Sequence, residues 1–174
     1  MERRAVRRYA DEDTGIPARW NATTERVIAC AMEVHTRLGP GLAERLYEDA
    51  LLYELSRAGL EVRRQVVVRV PYKDIVLSEL RLDLVVGGGV VVELKCVEHV
   101  SDLHLAQLLG YLRAGGMPVG LLINFHTLRL RDGIFRRVWS RGAPVIASET
   151  SAPAVTSAFN GEVPGSPTSM GSMA

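Results

Sequence analysis

The stretch Arg81–Cys96, RLDLVVGGGVVVELKC, constrains this chain more than any other. Two Val- and Leu-rich runs, Leu82 to Val86 and Val90 to Cys96, flank Gly87, Gly88 and Gly89. A three-residue loop of this kind closes a β-hairpin, since glycine takes the positive φ that the turn needs. With that loop, Val86 faces Val90 and Asp83 falls opposite Glu93. Lys95 projects from the same face as Glu93, because strand side chains alternate with a period of two. A two-residue loop would shift the pairing by one and send Asp83 and Glu93 to opposite faces.

Two carboxylates directly opposed in a sheet repel, by about 3 kcal/mol at roughly 5 Å and an effective dielectric near 20. A divalent cation between them turns that cost into a binding site, and hard oxygen ligands suit Mg²⁺, with Mn²⁺ as a substitute. The competing reading is an ordinary solvated polar face. The flanks favour the cation: Val90, Val91, Val92 and Leu94 around Glu93 make the continuous apolar run of a strand buried on both faces. A buried acid needs a partner or a metal.

At 174 residues the chain is long enough for one domain with a real core. Its 47% hydrophobic and 24% charged residues are those of a soluble globular protein, and a net charge of +1 neither demands nor excludes a nucleic-acid partner. Cys30 and Cys96 make no disulfide framework and no structural zinc site, and fit core positions in a reducing cytoplasm. No apolar run reaches membrane-spanning length, and the start has no signal-peptide core.

In chain order, residues 1–20 read as a flexible arm, 21–140 as the folded domain and 141–174 as a disordered Ala/Ser/Pro/Gly-rich tail. Thr23 or Thr24 caps a helix whose stripe is Val27, Ala31, Val34 and Leu38, stopped at Gly39-Pro40-Gly41. A second helix spans about Leu42 to Ala58, with Leu42, Leu46, Ala50 and Tyr53 along one side. Glu44 and Glu48 lie four residues apart on it. For Glu44 a solvated surface and a site position weigh equally, whereas Glu48 is drawn towards the core edge and the metal; Tyr47 packs with its hydroxyl at the rim. Arg64 to Val70 is a strand, Pro71 to Asp74 a turn, and Ile75 to Leu77 extends the pairing, so three strands form an antiparallel meander. Ser101 or Asp102 caps a third helix to about Ala114, buried along Leu105, Leu108, Leu109 and Leu112. On it Gln107 either orients a phosphate or a metal-bound water, or simply bonds its neighbours; His104 reads as structural. Val119 to Phe125 is a buried strand beside the hairpin. Leu128 to Trp139 reads as a terminal hairpin around Asp132-Gly133, and its Arg129, Arg131, Arg136 and Arg137 make either a charged sheet edge or a phosphate-tracking surface.

The order helix, helix, three strands, helix, strand, with Asp83 on the second strand and Glu93-x-Lys95 on the third, resembles the PD-(D/E)XK nuclease superfamily. Within it, Gly41-Leu42-Ala43-Glu44-Arg45-Leu46-Tyr47 reproduces G-x-x-E-x-x-Y. With His104 to Leu112 and Gly120 to Phe125, it is similar to the bacterial GxxExxY proteins from about Thr24 to Val138. The resemblance implies an α/β (α+β) fold with a restriction-endonuclease-like core, a central mixed sheet flanked by helices. It implies Asp83, Glu93 and Glu48 as metal ligands, Lys95 as the catalytic lysine and Gln107 as the polar residue of the following helix. Leu82 stands where the name-giving proline would be, a position that chemistry does not require. The implied activity is Mg²⁺-dependent hydrolysis of phosphodiester bonds in DNA or RNA, DNA the more favoured, with homodimerisation open. The alternative is a catalytically inactive nucleic-acid- or protein-binding module on the same scaffold.

Overall fold

The structure, a computed structural model, describes residues 18–139. The expected arm and tail fall almost wholly outside them; residues 18–20 of the arm are described and already belong to the first helix. The elements follow as α1 (Ala18–Leu38), α2 (Glu44–Arg57), β1 (Val62–Tyr72), β2 (Ile75–Val86), β3 (Val90–Lys95), α3 (Asp102–Gly115), β4 (Val119–Asn124), a 3₁₀ turn (Leu130–Asp132) and β5 (Ile134–Val138). The five strands form one mixed sheet in the order β1-β2-β3-β4-β5. Only β3 and β4 run parallel, joined by the crossover helix α3; the other neighbours are antiparallel.

Helices α1 and α2 cover one face of the sheet, and α3 covers the other. Val27, Ala31, Val34, Tyr47, Leu51 and Leu55 meet alternate residues of β3 and β4 on the first face. Leu108 and Leu112 of α3 meet Val66, Val68, Leu82, Val91 and Leu122 on the second. With both faces covered, β3 and β4 are buried almost throughout, which is why they read as unbroken apolar runs.

The organising hairpin has the expected loop. Val86 pairs with Val90, Val85 with Val91 and Leu84 with Val92. Gly87 and Gly88 carry φ of 58° and 72°, and a Cβ on Gly89 would lie 2.2 Å from the Trp20 ring.

Several local expectations are corrected. Helix α1 begins at Ala18, so Thr23 and Thr24 are not caps; inside the helix their hydroxyls donate back to the carbonyls of Arg19 and Trp20. Helix α2 begins at Glu44, and Leu42, Leu46 and Tyr53 are exposed, because Tyr47, Glu48, Leu51 and Leu55 form the inward side. Pro71 and Tyr72 belong to β1 rather than to the turn, across a register shift that absorbs the proline. The terminal hairpin does not form. Its first half is the 3₁₀ turn, and its second half pairs with β4, whose free edge would otherwise leave buried peptide groups unsatisfied. The basic patch is thereby broken: Arg129 and Arg131 are exposed, but Arg136 is buried with its guanidinium on Asn21 Oδ1.

One irregularity shapes the site. Arg64 pairs with Leu84 and Val66 with Leu82, which leaves Gln65 level with Asp83 and outside the recorded ladder. On one side of that level, Val62, Leu84 and Val86 serve the α1/α2 core; on the other, Val66, Val68 and Leu82 serve the α3 core. All six are even-numbered, so simple alternation would have kept them on one face. The ribbon turns over at Gln65 and Asp83, and Gln65 adopts φ 51° to do so. A left-handed backbone costs an L-residue about 1–2 kcal/mol.

Candidate active site

The acids converge where α2, the turned-over level of β1 and β2, and the end of β3 meet. Asp83, one step beyond the Leu84–Val92 pair, accepts the Leu94 N–H at 2.9 Å on Oδ2, replacing a ladder bond with a side-chain one. Glu93 is nearly buried in β3, and its Oε1 receives the Lys95 ammonium at 2.7 Å. Its Oε2 is buried with no hydrogen-bond partner. An orphaned buried carboxylate oxygen is costly and uncommon in folded proteins.

Helix α2 supplies two more acids. Its N-terminal turn is held by Tyr47, which stacks on Phe125 at 4.5 Å between ring centroids. The Tyr47 hydroxyl donates to the Gly39 carbonyl and accepts the Leu42 N–H. Tyr47 thus sets the placement of Glu44 before it and Glu48 after it. Glu48 is buried, and its Oε1 receives Arg64 Nε at 2.8 Å and Gln65 Nε2 at 3.0 Å. Arg64 also reaches Asp49 at 2.9 Å. Glu44 is exposed as a residue, yet its carboxylate tip reaches over the end of β3 to accept the Cys96 N–H at 3.1 Å.

The end of β3 is fixed from below by Asn124, itself only 1% exposed. Its amide donates to the Val97 carbonyl at 2.7 Å, and its Oδ1 accepts the N–H of Val97 and of His126. The parallel partnership with β4 continues through Phe125, whose N–H donates to the Lys95 carbonyl.

Electrostatics follow from burial. Burial pushes the Asp83 carboxyl above its ordinary range, against the Leu94 N–H and the Lys95 charge, with Glu48 adding to the rise. Glu93 is pushed up to about 7, again chiefly by burial, although the Lys95 hydrogen bond opposes it. Partial burial of its tip raises Glu44 as well. For Lys95, burial acts downward, but the Glu93 hydrogen bond and the charges of Glu93, Glu44 and Asp83 outweigh it and hold the ammonium above its usual value. The two partners of that pair fare differently because the Lys95 side chain is 19% exposed and that of Glu93 only 5%. Burial also pushes the Cys96 thiol up to about 11.

Gln107 does not touch the acids. It is exposed on α3 and donates to the Tyr111 hydroxyl at 2.8 Å. Burial raises the Tyr111 hydroxyl pKa, followed by the charges of Glu93 and Asp83, which places Tyr111 within the field of the site. His104 completes the capping box with Ser101 at the start of α3, a structural role. Gln65 had no distinguishing signal in the sequence; Tyr111 and Asn124 lie in segments that carry the family resemblance but had no role assigned, and Glu44 stood out as the acid of G-x-x-E-x-x-Y.

Asp83, Glu93, Glu48 and Glu44 are hard oxygen donors, and the orphaned Glu93 Oε2 with the raised carboxyls around it suits a divalent cation. Among the described residues no three His, Cys, Asp or Glu side chains are placed together so as to hold a metal ion as they stand. Glu48 Oε1, Glu93 Oε1 and Asp83 Oδ2 are each engaged within the protein.

No curated protein and no solved structure matches the chain. The profile of the PD-(D/E)XK nuclease superfamily matches residues 21–138, from α1 to the end of β5, and takes in every acid of the site. The mixed sheet, its helices and this match agree: the chain belongs to the PD-(D/E)XK nuclease superfamily, on an α+β restriction-endonuclease-like fold.

Proposed function

We propose that this protein is a divalent-metal-dependent nuclease of the GxxExxY type, hydrolysing phosphodiester bonds in DNA in preference to RNA. The observation that carries the reading is the divided Glu93 carboxylate, one oxygen on Lys95 and the other buried without a partner. Asp83 and Glu93 would hold the metal, with Glu48 completing the set and Glu44 beside it. Mg²⁺, or Mn²⁺ in its place, supplies Lewis acidity towards the scissile phosphate and lowers the pKa of a coordinated water.

The chain's own groups do the rest. Lys95, kept protonated and partly exposed, places positive charge where a pentacovalent phosphorus gathers negative charge. Its bond to Glu93 fixes its reach in the resting protein. Glu44, exposed at the start of α2, repels phosphate oxygens wherever a cation does not neutralise it, which gives the site an electrostatic requirement for metal. Gln107 acts through Tyr111 and is a positioning residue. Two copies of the chain would address both strands of a duplex.

Calorimetric titration of Mg²⁺ and Mn²⁺ into the wild type and into Asp83→Ala, Glu93→Ala and Lys95→Ala tests this, with plasmid and single-strand cleavage on the same preparations. Either acid variant is expected to abolish metal binding, and all three to lower cleavage by a factor of about 10³ or more. Salt-dependent nucleic-acid binding without cleavage in any metal would instead favour the binding module.

A further inference from the structure

We propose that Gln65 is a positioning residue that sets the separation of the α2 acid from the β2 acid, and that its left-handed backbone is retained for this purpose. The proposal rests on the metal-site reading above. Gln65 lies at the level where the β1–β2 ribbon turns over, directly across from Asp83. Its amide donates to Glu48 Oε1 at 3.0 Å, and its side chain lies close enough to Asp83 to draw that carboxyl's pKa down. One side chain therefore stands between acids of two different elements, bonded to the α2 acid and level with the β2 acid.

The residue type is informative. A φ of 51° is adopted readily by glycine and tolerated by asparagine, but is disfavoured for glutamine. Nothing in the packing requires a long side chain here: Gln65 is only half-buried and belongs to neither apolar core. What glutamine offers over the conformationally better residues is an amide donor at the end of two methylenes, long enough to reach Glu48. Strain that persists beside a cluster of functional acids points to a role in arranging them.

Stability and metal affinity should then move in opposite directions. In Gln65→Gly the melting temperature of the EDTA-treated protein is expected to stay level or rise, while Mn²⁺ affinity by calorimetry falls about tenfold or more. Gln65→Asn keeps the amide and suits the backbone but falls short of Glu48; it is expected to behave like the glycine variant. A role in folding alone would move both readouts together. Wild-type Mn²⁺ affinity in either variant, with Asp83→Ala unable to bind, would overturn the proposal and leave the metal site standing. Failure of the wild type itself to bind Mn²⁺ would overturn both.

Discussion

Glu93 divides its carboxylate between an ammonium and nothing. In metal-free buffer this has a consequence for stability. Its carboxyl titrates at about 7 in the folded chain against an ordinary value of 4.5, so between those values the folded chain holds a proton that the unfolded chain has released. Stability therefore falls as pH rises through that window, by up to about 3 kcal/mol from Glu93 alone. Asp83 and Glu44, raised in the same direction, add to the slope. Lys95, also raised, contributes stability that is lost only at pH values above its ordinary one, outside this window. Urea denaturation at pH 5 and pH 7.5 is expected to find the EDTA-treated wild type clearly weaker at the higher pH and Glu93→Gln much less pH-dependent. Mn²⁺ at pH 7.5 is expected to restore the wild type and not the variant.

The elements act on the site through their ends. Strand β3 carries Glu93 and Lys95 at its last turn of side chains, and Asn124 at the matching end of β4 holds the backbone just beyond them. Three hydrogen bonds converge on that buried amide. Asn124→Ala strands two N–H groups and one carbonyl, and is expected to cost about 2–4 kcal/mol while loosening the Lys95 end of the strand. Thermal unfolding checks the first effect. Faster amide hydrogen exchange at Cys96 and Val97 than at Val91 and Val92 checks the second. Helix α2 is anchored likewise by the Tyr47 stack on Phe125, which accounts physically for an aromatic three residues after Glu44.

As a whole, the molecule is a sheet between two helical layers, and β2 contributes to both. Leu84 packs beneath α1 and α2, and Leu82, two residues away, beneath α3. Both are fully buried, so Leu82→Ala and Leu84→Ala are each expected to cost about 2–5 kcal/mol. Trp20 packs against the first core and Trp139 against the second, giving each layer a fluorescent reporter. If the shared sheet couples the layers, circular dichroism and fluorescence will report one coincident transition in both variants. Separate transitions would mean that the layers unfold independently.

Composition, periodicity and three glycines were enough to define the hairpin, its register from Val86–Val90 to Leu84–Val92, the shared face of Glu93 and Lys95, and the order of helices and strands around them. The expected pairing of Asp83 with Glu93 is not part of the ladder, where Asp83 instead accepts the Leu94 N–H. These depend on neighbours in sequence and on a side-chain period that the chain states locally. The PD-(D/E)XK resemblance carried the fold class, which the sheet order bears out. Other features were decided only by tertiary structure. The last segment abandoned its own hairpin because β4 offered a buried edge. Leu42, Leu46 and Tyr53 turned outward because Tyr47, Leu51 and Leu55 packed better. Glu44 became a neighbour of Lys95 only when α2 docked. The reversal of faces at Gln65 and Asp83 contradicts the alternation that strand reading assumes. Local pattern specifies what each element is, whereas the meeting of distant acids is set by how the elements bury their apolar faces.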